Sequence, residues 1–338
     1  NRTYQDLLKN KNDEKNFEIL ALSELYKVSI KGSKRLWKKS DMYRNINFSP
    51  DGRFVLITTI KRPFSYLVPY YRFPSTYTIY RANGKEVSVL ADIPLIEDLP
   101  KGFMSVRKGA RSFSWRLDKP ASIFFVSALD DGDPQIESKY RDELFQLDAP
   151  FNADPISLLK TENRFYRSSW CNDTLAIVSD YWWNNRNAKT YLFNPSSPQD
   201  GSMILYDRNY QDRYNDPGSF VKERNNFGES ILALRNNSLY LIGDGFTSKG
   251  QFPFLDELDL SSMAKNRLYK SSIKGKKESL RDFSPDENQL FVRIESASEY
   301  PNYYFRELGA DLKQATFFLN PFKSLQNIHK ELIKYKRE

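Results

Sequence analysis

Residues 47–59 read Asn-Phe-Ser-Pro-Asp-Gly-Arg-Phe-Val-Leu-Ile-Thr-Thr. The central Ser49-Pro50-Asp51-Gly52 predicts a tight turn, because proline presets φ, aspartate bonds its own backbone and glycine tolerates a positive φ. The run that follows, residues 54–59, is aromatic and β-branched, which favours a strand. This stretch therefore predicts two antiparallel strands joined by a short turn.

The apolar second strand of this pattern returns along the chain. Each copy follows a short polar turn and precedes two more strand-like runs, as at residues 77–80 and 87–90 in the first unit and at 190–193 and 203–206 in the third. A four-stranded unit that repeats at about this spacing is typical of β-propeller blades. The five copies start at Phe54, Ser122, Thr174, Ser238 and Gln289, at intervals of 51 to 68 residues.

The predicted fold class is therefore all-β, a β-propeller of about five and a half four-stranded blades, as an open fragment. Two β-sandwiches placed end to end are the alternative, but sandwiches lack a fixed repeat of this length. We assign residues 1–321 to the propeller and residues 322–338 to a linker helix. The helix is predicted because four apolar residues fall on one helical face, namely Leu325, Ile328, Leu332 and Ile333.

The N-terminal part predicts a half blade. Thr3 is interpreted as the N-cap of a short helix over residues 3–8, and the polar residues 9–16 as a loop or an exposed helix end. Residues 25–38 are interpreted as the third and fourth strands of a blade whose first two strands are expected before Asn1.

The composition limits the possible functions. Hydrophobic residues make up 40% of the 338 residues and charged residues 28%, which is ordinary for a folded globular protein. The net charge of +8 is spread without a long basic block, so no nucleic-acid partner is predicted. The apolar runs are strand-sized, so no membrane partner is predicted. One cysteine, Cys171, excludes an internal disulfide and leaves the redox compartment open.

An acidic turn is the one hint of a metal site. The run Asp130-Asp131-Gly132-Asp133 suggests a calcium loop, but the twelfth position of an EF-hand that starts at Asp130 is Arg141. We interpret the run as a turn rich in Asp and Gly. No metal and no cofactor is predicted.

Loop lengths distinguish the two faces of the predicted propeller. Turns from first to second strand lie on one face and are short. Connections from second to third strand, and from the fourth strand to the next blade, lie on the other face; the former are long, and the connection at residues 92–111 is longer still. We call the face with long connections the long-loop face. Because binding sites usually lie on such loops, this face is predicted to meet a substrate or a second domain. The long connections from second to third strand are residues 61–76, 129–140, 180–189, 244–253 and 296–302.

Several segments of the chain resemble a known protein family. The segments Arg62-Pro63-Phe64-Ser65-Tyr66-Leu67-Val68-Pro69 and Ser105-Val106-Arg107-Lys108-Gly109 are similar to the glutamyl endopeptidase-like branch of the prolyl oligopeptidase family. The resemblance covers nearly the whole chain in order. Other matching pieces are Tyr4-Gln5-Asp6-Leu7-Leu8, Arg72-Phe73-Pro74, Arg111-Ser112, Trp115, Asp118-Lys119-Pro120, Ser169-Trp170-Cys171, Asp216-Pro217-Gly218-Ser219, Pro253-Phe254-Leu255-Asp256 and the segment 325–337.

The resemblance implies a serine peptidase in which a β-propeller restricts substrate access to a C-terminal α/β-hydrolase domain. The implied partners are a peptide substrate and that hydrolase domain of the same chain. The nucleophile pattern G-x-S-x-G is absent from this sequence, and His329 is its one histidine. No catalytic residue is therefore predicted here, and we expect these residues alone to be catalytically inert. A periplasmic or secreted location is favoured.

Three cations are the main substrate-binding candidates. Arg107, Lys108 and Arg111 fall within five residues on the long-loop face. The resemblance implies glutamyl preference, and a guanidinium binds a carboxylate through paired hydrogen bonds. We therefore predict that they contact an acidic substrate group; the alternative is that they bond neighbouring backbone carbonyls. Tyr66 and Arg72 are further candidates, although the surrounding prolines favour a structural role for Arg72.

A second function class stays open. Trp182 and Trp183 lie on a predicted long loop and are candidates to stack on a sugar or peptide; alternatively they fill a gap under the loop. If they are anchors, the chain is a stand-alone propeller that binds a protein or a glycan.

Overall fold

The structure is a computed structural model that describes residues 3–325, 331 and 333–336. It contains one α-helix, α1 (Lys11–Ala21), and short 3₁₀ turns at Tyr70–Arg72, Pro198–Asp200 and Lys323–Leu325 within those residues. The strands are β1 Ser23–Val28, β2 Lys34–Asp41, β3 Tyr43–Phe48, β4 Phe54–Ile60, β5 Ser75–Arg81, β6 Glu86–Ile93, β7 Ala110–Trp115, β8 Ser122–Ala128, β9 Asp142–Asp148, β10 Ile156–Thr161, β11 Arg164–Asn172, β12 Leu175–Tyr181, β13 Asn187–Phe193, β14 Ser202–Asn209, β15 Ser219–Phe220, β16 Lys222–Arg224, β17 Ser230–Leu232, β18 Leu234–Arg235, β19 Ser238–Gly243, β20 Phe246–Thr247, β21 Gly250–Gln251, β22 Phe254–Asp259, β23 Lys265–Lys270, β24 Lys277–Ser284, β25 Gln289–Glu295, β26 Asn302–Glu307 and β27 Leu312–Gln314.

The chain divides into two compact units. The first is Asn1–Asn209 with Arg224–Ile231, and the second is Tyr210–Glu223 with Leu232–Glu338. The first unit holds the antiparallel sheets β3-β4-β5-β6, β7-β8-β9-β10 and β11-β12-β13-β14, together with the two-stranded sheet β1-β2. The second holds β24-β25-β26-β27 and β15-β19-β22-β23, where β18 also pairs with β19.

These sheets confirm the predicted β-propeller. The apolar runs at β4, β8, β12, β19 and β25 are each the second strand of a sheet, and the runs at 77–80, 87–90, 190–193 and 203–206 lie in its third or fourth strand. Residues 25–38 form the β1–β2 pair, as predicted.

Successive blades bury their faces against one another. All seven residues of β4 are buried, which requires cover on both faces of the sheet. In the first unit, Leu56 and Ile79 of the first blade share a core with Ile123 of the second. In the second unit, Leu255 of the fourth blade shares a core with Val292 of the fifth. This stacking is what repeat architectures use to cover apolar faces that one unit cannot bury alone.

A buried arginine joins the second and third blades. Arg116 is 1% exposed and follows β7. Its guanidinium bonds both oxygens of Asp118, at 3.1 and 2.5 Å, and donates to Gln146 of β9. It also lies over the ring of Trp170 of β11, 4.3 Å from the centroid. The turn between the first two strands of this blade therefore contributes a charged link between blades.

The N-terminal helix prediction is wrong in position. Residues 3–8 are not helical, and α1 instead begins after Asn10, whose side chain accepts from the backbone N–H groups of Asn12 and Asp13 at 2.8 and 3.0 Å. Phe17 provides the reason, because on α1 it packs against the apolar cluster that includes Val68 and Phe73. The polar residues 9–16 gave no sign of this helix, whose stability comes from the packing of its partly buried apolar face.

Two further predictions concern loops and the C-terminal end. The connection between β12 and β13 in the third blade is shorter than the predicted residues 180–189. It covers residues 182–186, because the two strands pair as far as Tyr181 and Ala188. Eight of the seventeen residues of the predicted linker helix lie outside the described residues, namely 326–330, 332, 337 and 338, and His329 is one of them. That helix and the domain boundary at residue 321 stay predictions.

We expect Arg116→Ala to lower the free energy of unfolding by about 3–5 kcal/mol, because it strands the buried carboxylate of Asp118. Urea denaturation followed by tryptophan fluorescence measures this. Arg53→Ala is the matched control: Arg53 is 70% exposed and pairs with Asp51, so its removal should change stability by less than about 1 kcal/mol. Equal losses in the two variants would contradict the structural role of Arg116.

Candidate functional site

A buried ionic network supports the long-loop face of the first unit. Asp130 and Asp142 are 2% and 1% exposed. Arg164 bonds both oxygens of Asp130, at 2.7 and 2.8 Å, and one oxygen of Asp142 at 3.1 Å. Its Nε donates to the carbonyl of Met104 at 2.9 Å. Arg141 adds a bond to Asp130 at 2.8 Å. The network joins the second blade to the start of β11.

The three predicted cations lie in different settings around this network. Arg111, on β7, donates to Asp142, and its side chain is 14% exposed. Arg107 is half-buried and donates to the carbonyl of Lys108 at 2.8 Å. The exposed Lys108 ammonium pairs with Asp131 at 2.8 Å. Arg107 thus has a carbonyl bond of the kind given as the alternative, and among the described residues it pairs with no carboxylate.

The electrostatics of Arg107 and Arg111 point to an uncompensated positive charge. Burial lowers the pKa of Arg107; the neighbouring Arg111 cation lowers it further, and Tyr77 opposes. Burial also lowers the pKa of Arg111 although Asp142 is bound to it. The Arg111 Nη1 nitrogen is buried with no hydrogen-bond partner. An anion beside the two guanidiniums would reduce their repulsion and stabilise both charges.

Close backbone packing fixes the segment that carries Arg107. The N–H of Val106 donates to the carbonyl of Gly132 at 3.0 Å. Gly132 has φ +80°, and a Cβ there would lie 2.1 Å from the Val106 carbonyl oxygen. Only glycine therefore allows the acidic turn to hold this segment.

The acidic turn is structural in the described contacts. Asp130 accepts from Arg164, from Arg141 and from the N–H of Gly132 at 3.1 Å. Burial alone would raise the pKa of Asp130, but the two arginines outweigh it and its pKa lies below the usual value. No group of three or more His, Cys, Asp or Glu able to hold a metal is present among the described residues.

The other two candidates lie against the N-terminal segment. Tyr66 donates through its hydroxyl to Glu14 of α1 at 2.8 Å. The Arg72 guanidinium lies over the ring of Tyr4, 5.1 Å from the centroid. Arg62 shares Glu14 with Tyr66 and also pairs with Glu18. These contacts hold α1 on the loop between β4 and β5, and they share no residue with the contacts of Arg107, Lys108 and Arg111.

The two tryptophans differ in exposure and partners. Arg141 lies over the ring of Trp182, 4.5 Å from the centroid. Trp183 is 40% exposed and packs at 5.2 Å against Phe103, which is 81% exposed. Arg186 covers Trp183 at 3.9 Å. Trp183 and Phe103 therefore form an exposed aromatic pair on the long-loop face.

Sequence reasoning missed Asp142 and Arg164, which organise the site. Arg141 entered it only as the residue that excludes an EF-hand. The available signal was weak: charged residues at the ends of otherwise apolar strands, where no turn requires them. In the described part of the chain, no helix is long and apolar enough to cross a membrane.

The chain is similar along its whole length to two curated plant proteins. It is 34% identical to the "Probable glutamyl endopeptidase, chloroplastic" of Oryza sativa subsp. japonica and 33% identical to that of Arabidopsis thaliana, in each case over 100% of this chain. The chain spans 38% and 37% of the length of these relatives. No family model matches it. The similarity confirms the resemblance to the glutamyl endopeptidase-like branch.

Solved peptidase structures are less similar to this chain in sequence than the two plant proteins are. Porphyromonas gingivalis dipeptidyl peptidase 4 aligns with 87% of this chain and 44% of its own, at 12% identity and a TM-score of 0.47. Pyrococcus horikoshii acylaminoacyl peptidase aligns with 87% and 41%, at 15% identity and a TM-score of 0.43. Since both TM-scores are below 0.5, the propeller assignment is based on the sheets themselves.

We expect Arg164→Met to destabilise the protein by about 3–5 kcal/mol at pH 7, because two buried carboxylates lose a shared partner. The exposed Arg167 on the same strand gives the matched control, Arg167→Met, which should change stability by less than about 0.5 kcal/mol.

The loss should shrink in acid. The pKa of Asp130 is depressed in the folded protein, so its stabilisation is present above the ordinary carboxyl pKa of about 3.9 and disappears as pH falls through the lower folded value. The stability difference between wild type and Arg164→Met, measured from pH 7 to about pH 2, should therefore stay constant down to about pH 3.9 and narrow below it. A difference that stays constant across this range would contradict the paired-carboxylate explanation.

Proposed function

We propose that this chain, the β-propeller portion of a glutamyl endopeptidase-like protein of the prolyl oligopeptidase family, gates peptide access and helps to bind acidic peptide substrates. The observation that carries the proposal is the similarity of this chain, along the whole of its own length, to two probable glutamyl endopeptidases. In the proposal, peptidase chemistry belongs to an α/β-hydrolase domain of the same protein. The propeller contributes to substrate selection and not to bond cleavage.

The charge of the long-loop face supports the substrate-binding part. The buried network and its neighbour Arg107 comprise four guanidiniums and two carboxylates, since Lys108 and Asp131 neutralise each other. The excess positive charge is located at Arg107 and at the Nη1 nitrogen of Arg111, which has no hydrogen-bond partner. In this proposal Arg107 contacts the substrate carboxylate, Lys108 adds long-range attraction and Arg111, anchored on Asp142, supplies one further N–H.

The N-terminal helix supports the gating part. Tyr66 and Arg62 hold α1 on the β4–β5 loop through Glu14. These polar partners are exposed or half-buried, so their bonds add little to the apolar packing of Phe17 on the same loop and can break without releasing the helix. We propose that Tyr66, through its bond to Glu14, and Arg72, through its contact with the Tyr4 ring, set how far the loop can move and so act on substrates.

Arg107→Ala in the full-length protein should lower kcat/KM by about tenfold for a peptide with glutamate at the cleaved bond, because one charge-assisted hydrogen bond is lost. It should change kcat/KM for the glutamine analogue by less than about twofold. Steady-state kinetics on the paired peptides measures this. Lys101→Ala is the control, since Lys101 is an exposed cation of the same connection. Equal losses of kcat/KM on both peptides would contradict a role of Arg107 in selecting glutamate.

A binding module is the second candidate function, supported by the exposed Phe103–Trp183 pair. If the chain binds proteins or glycans through this pair, Trp183→Ala should weaken capture of the ligand at least about tenfold, as loss of a buried aromatic anchor does. It should leave selectivity between glutamyl and glutaminyl peptides unchanged. Retained ligand binding in Trp183→Ala would reject Trp183 as the anchor.

A further inference from the structure

The second unit contains a polar cavity of about 430 Å³, within the range of ligand pockets of roughly 300–1,000 Å³. It lies between β24 and the connections at residues 210–218 and 244–253, on the ends that the blade pattern assigns to long loops. Four cations and two carboxylates line it, so the lining carries a positive excess. These residues are Arg213, Lys277, Arg281, Arg293, Asp216 and Asp244.

A β-bulge sets the position of the central cation. On β24, Leu280 pairs with Val292 and Asp282 pairs with Phe291, which leaves Arg281 without a cross-strand partner. Arg281 and Asp282 are therefore two successive exposed residues between the buried Leu280 and Phe283. Bulges of this kind redirect a side chain and are frequent beside functional sites. Here the bulge directs Arg281 into the cavity, while Asp282 lines a different one.

The cations of the cavity differ in how far they are neutralised. Arg293 forms a paired ion bridge to Glu295, at 3.1 and 2.9 Å. Arg213 lies over the ring of Phe246, 3.9 Å from the centroid, where it keeps its charge. Lys277 and Arg281 form no ion pair and no side-chain hydrogen bond with any described residue.

The acids of the cavity have hydrogen-bond partners close by. Asp244 accepts from Gln251 at 3.3 Å, and Asp216 accepts from the N–H of Gly218 at 3.0 Å. Gly218 has φ +92°, and a Cβ there would lie 2.5 Å from the carbonyl oxygen of Ile242. Glycine thus lets the Asp216 turn lie directly on β19.

We propose that this cavity is an oxyanion-binding site, which takes a carboxylate or phosphate group between Lys277 and Arg281. The guanidinium offers a planar pair of donors and the ammonium offers a point charge, the combination that binds carboxylate and phosphate. The site is independent of Arg107 and its neighbours in the first unit. It does not require the chain to serve a peptidase.

Calorimetric titration of the protein tests the site with three probes: inorganic phosphate, an N- and C-terminally blocked Glu-Glu-Glu peptide and the matching Gln-Gln-Gln peptide. We expect binding of at least one anionic probe, weakening as salt rises, and none of the glutamine peptide. Tight peptide binding identifies a peptide carboxylate as the ligand, and binding of phosphate alone identifies a small free anion.

Variants decide whether the binding belongs to this cavity. Arg281→Ala and Lys277→Ala should each weaken it about tenfold or more, and Arg281→Lys should recover part of it. Lys274→Ala removes an equally exposed cation of the same unit outside the cavity and should change nothing. Arg107→Ala should leave the part of the binding that depends on Arg281 intact, which separates the site from the proposed function. Absence of binding by both anions, or equal losses in Lys274→Ala, would overturn the proposal.

Discussion

Two carboxylates shielded from solvent, Asp130 and Asp142, constrain the long-loop ends of the second and third blades. An ionised carboxylate is stable in such a place only if cations and N–H groups surround it. Arg111 from β7, Arg141 before β9 and Arg164 at the start of β11 meet this need. One cluster of charges therefore fixes the ends of strands from two blades. The loops that start at these strand ends are held in position by it.

Much of the fold was predictable from the sequence because it depends on local patterns. The turn at Ser49-Pro50-Asp51-Gly52 and the buried run of β4 identify the unit, and its recurrence identifies the propeller. The helix α1 was not predictable in this way, since its face is defined by contact of Phe17 with residues far along the chain. Local propensity carries no information about such a distant partner.

The candidate site was predictable only in part. Three neighbouring cations mark the segment 107–111, but their different roles arise from partners that are distant in sequence: Asp142 for Arg111 and Asp131 for Lys108. The position of Arg281 is harder still, because a bulge is a property of two paired strands. No single-strand pattern shows that the pairing shifts between Leu280 and Asp282.

The positive regions of the two units arise by different physical routes. In the first, burial has already desolvated Arg107 and Arg111, and burial lowers the pKa of both. An anion that binds there gains from guanidiniums already fixed in place, so little ordering is needed on binding. In the second, Lys277 and Arg281 are exposed, and the bulge orients the Arg281 side chain without removing it from water. The first arrangement suits selection of one carboxylate in a fixed position, and the second suits weaker, salt-sensitive capture.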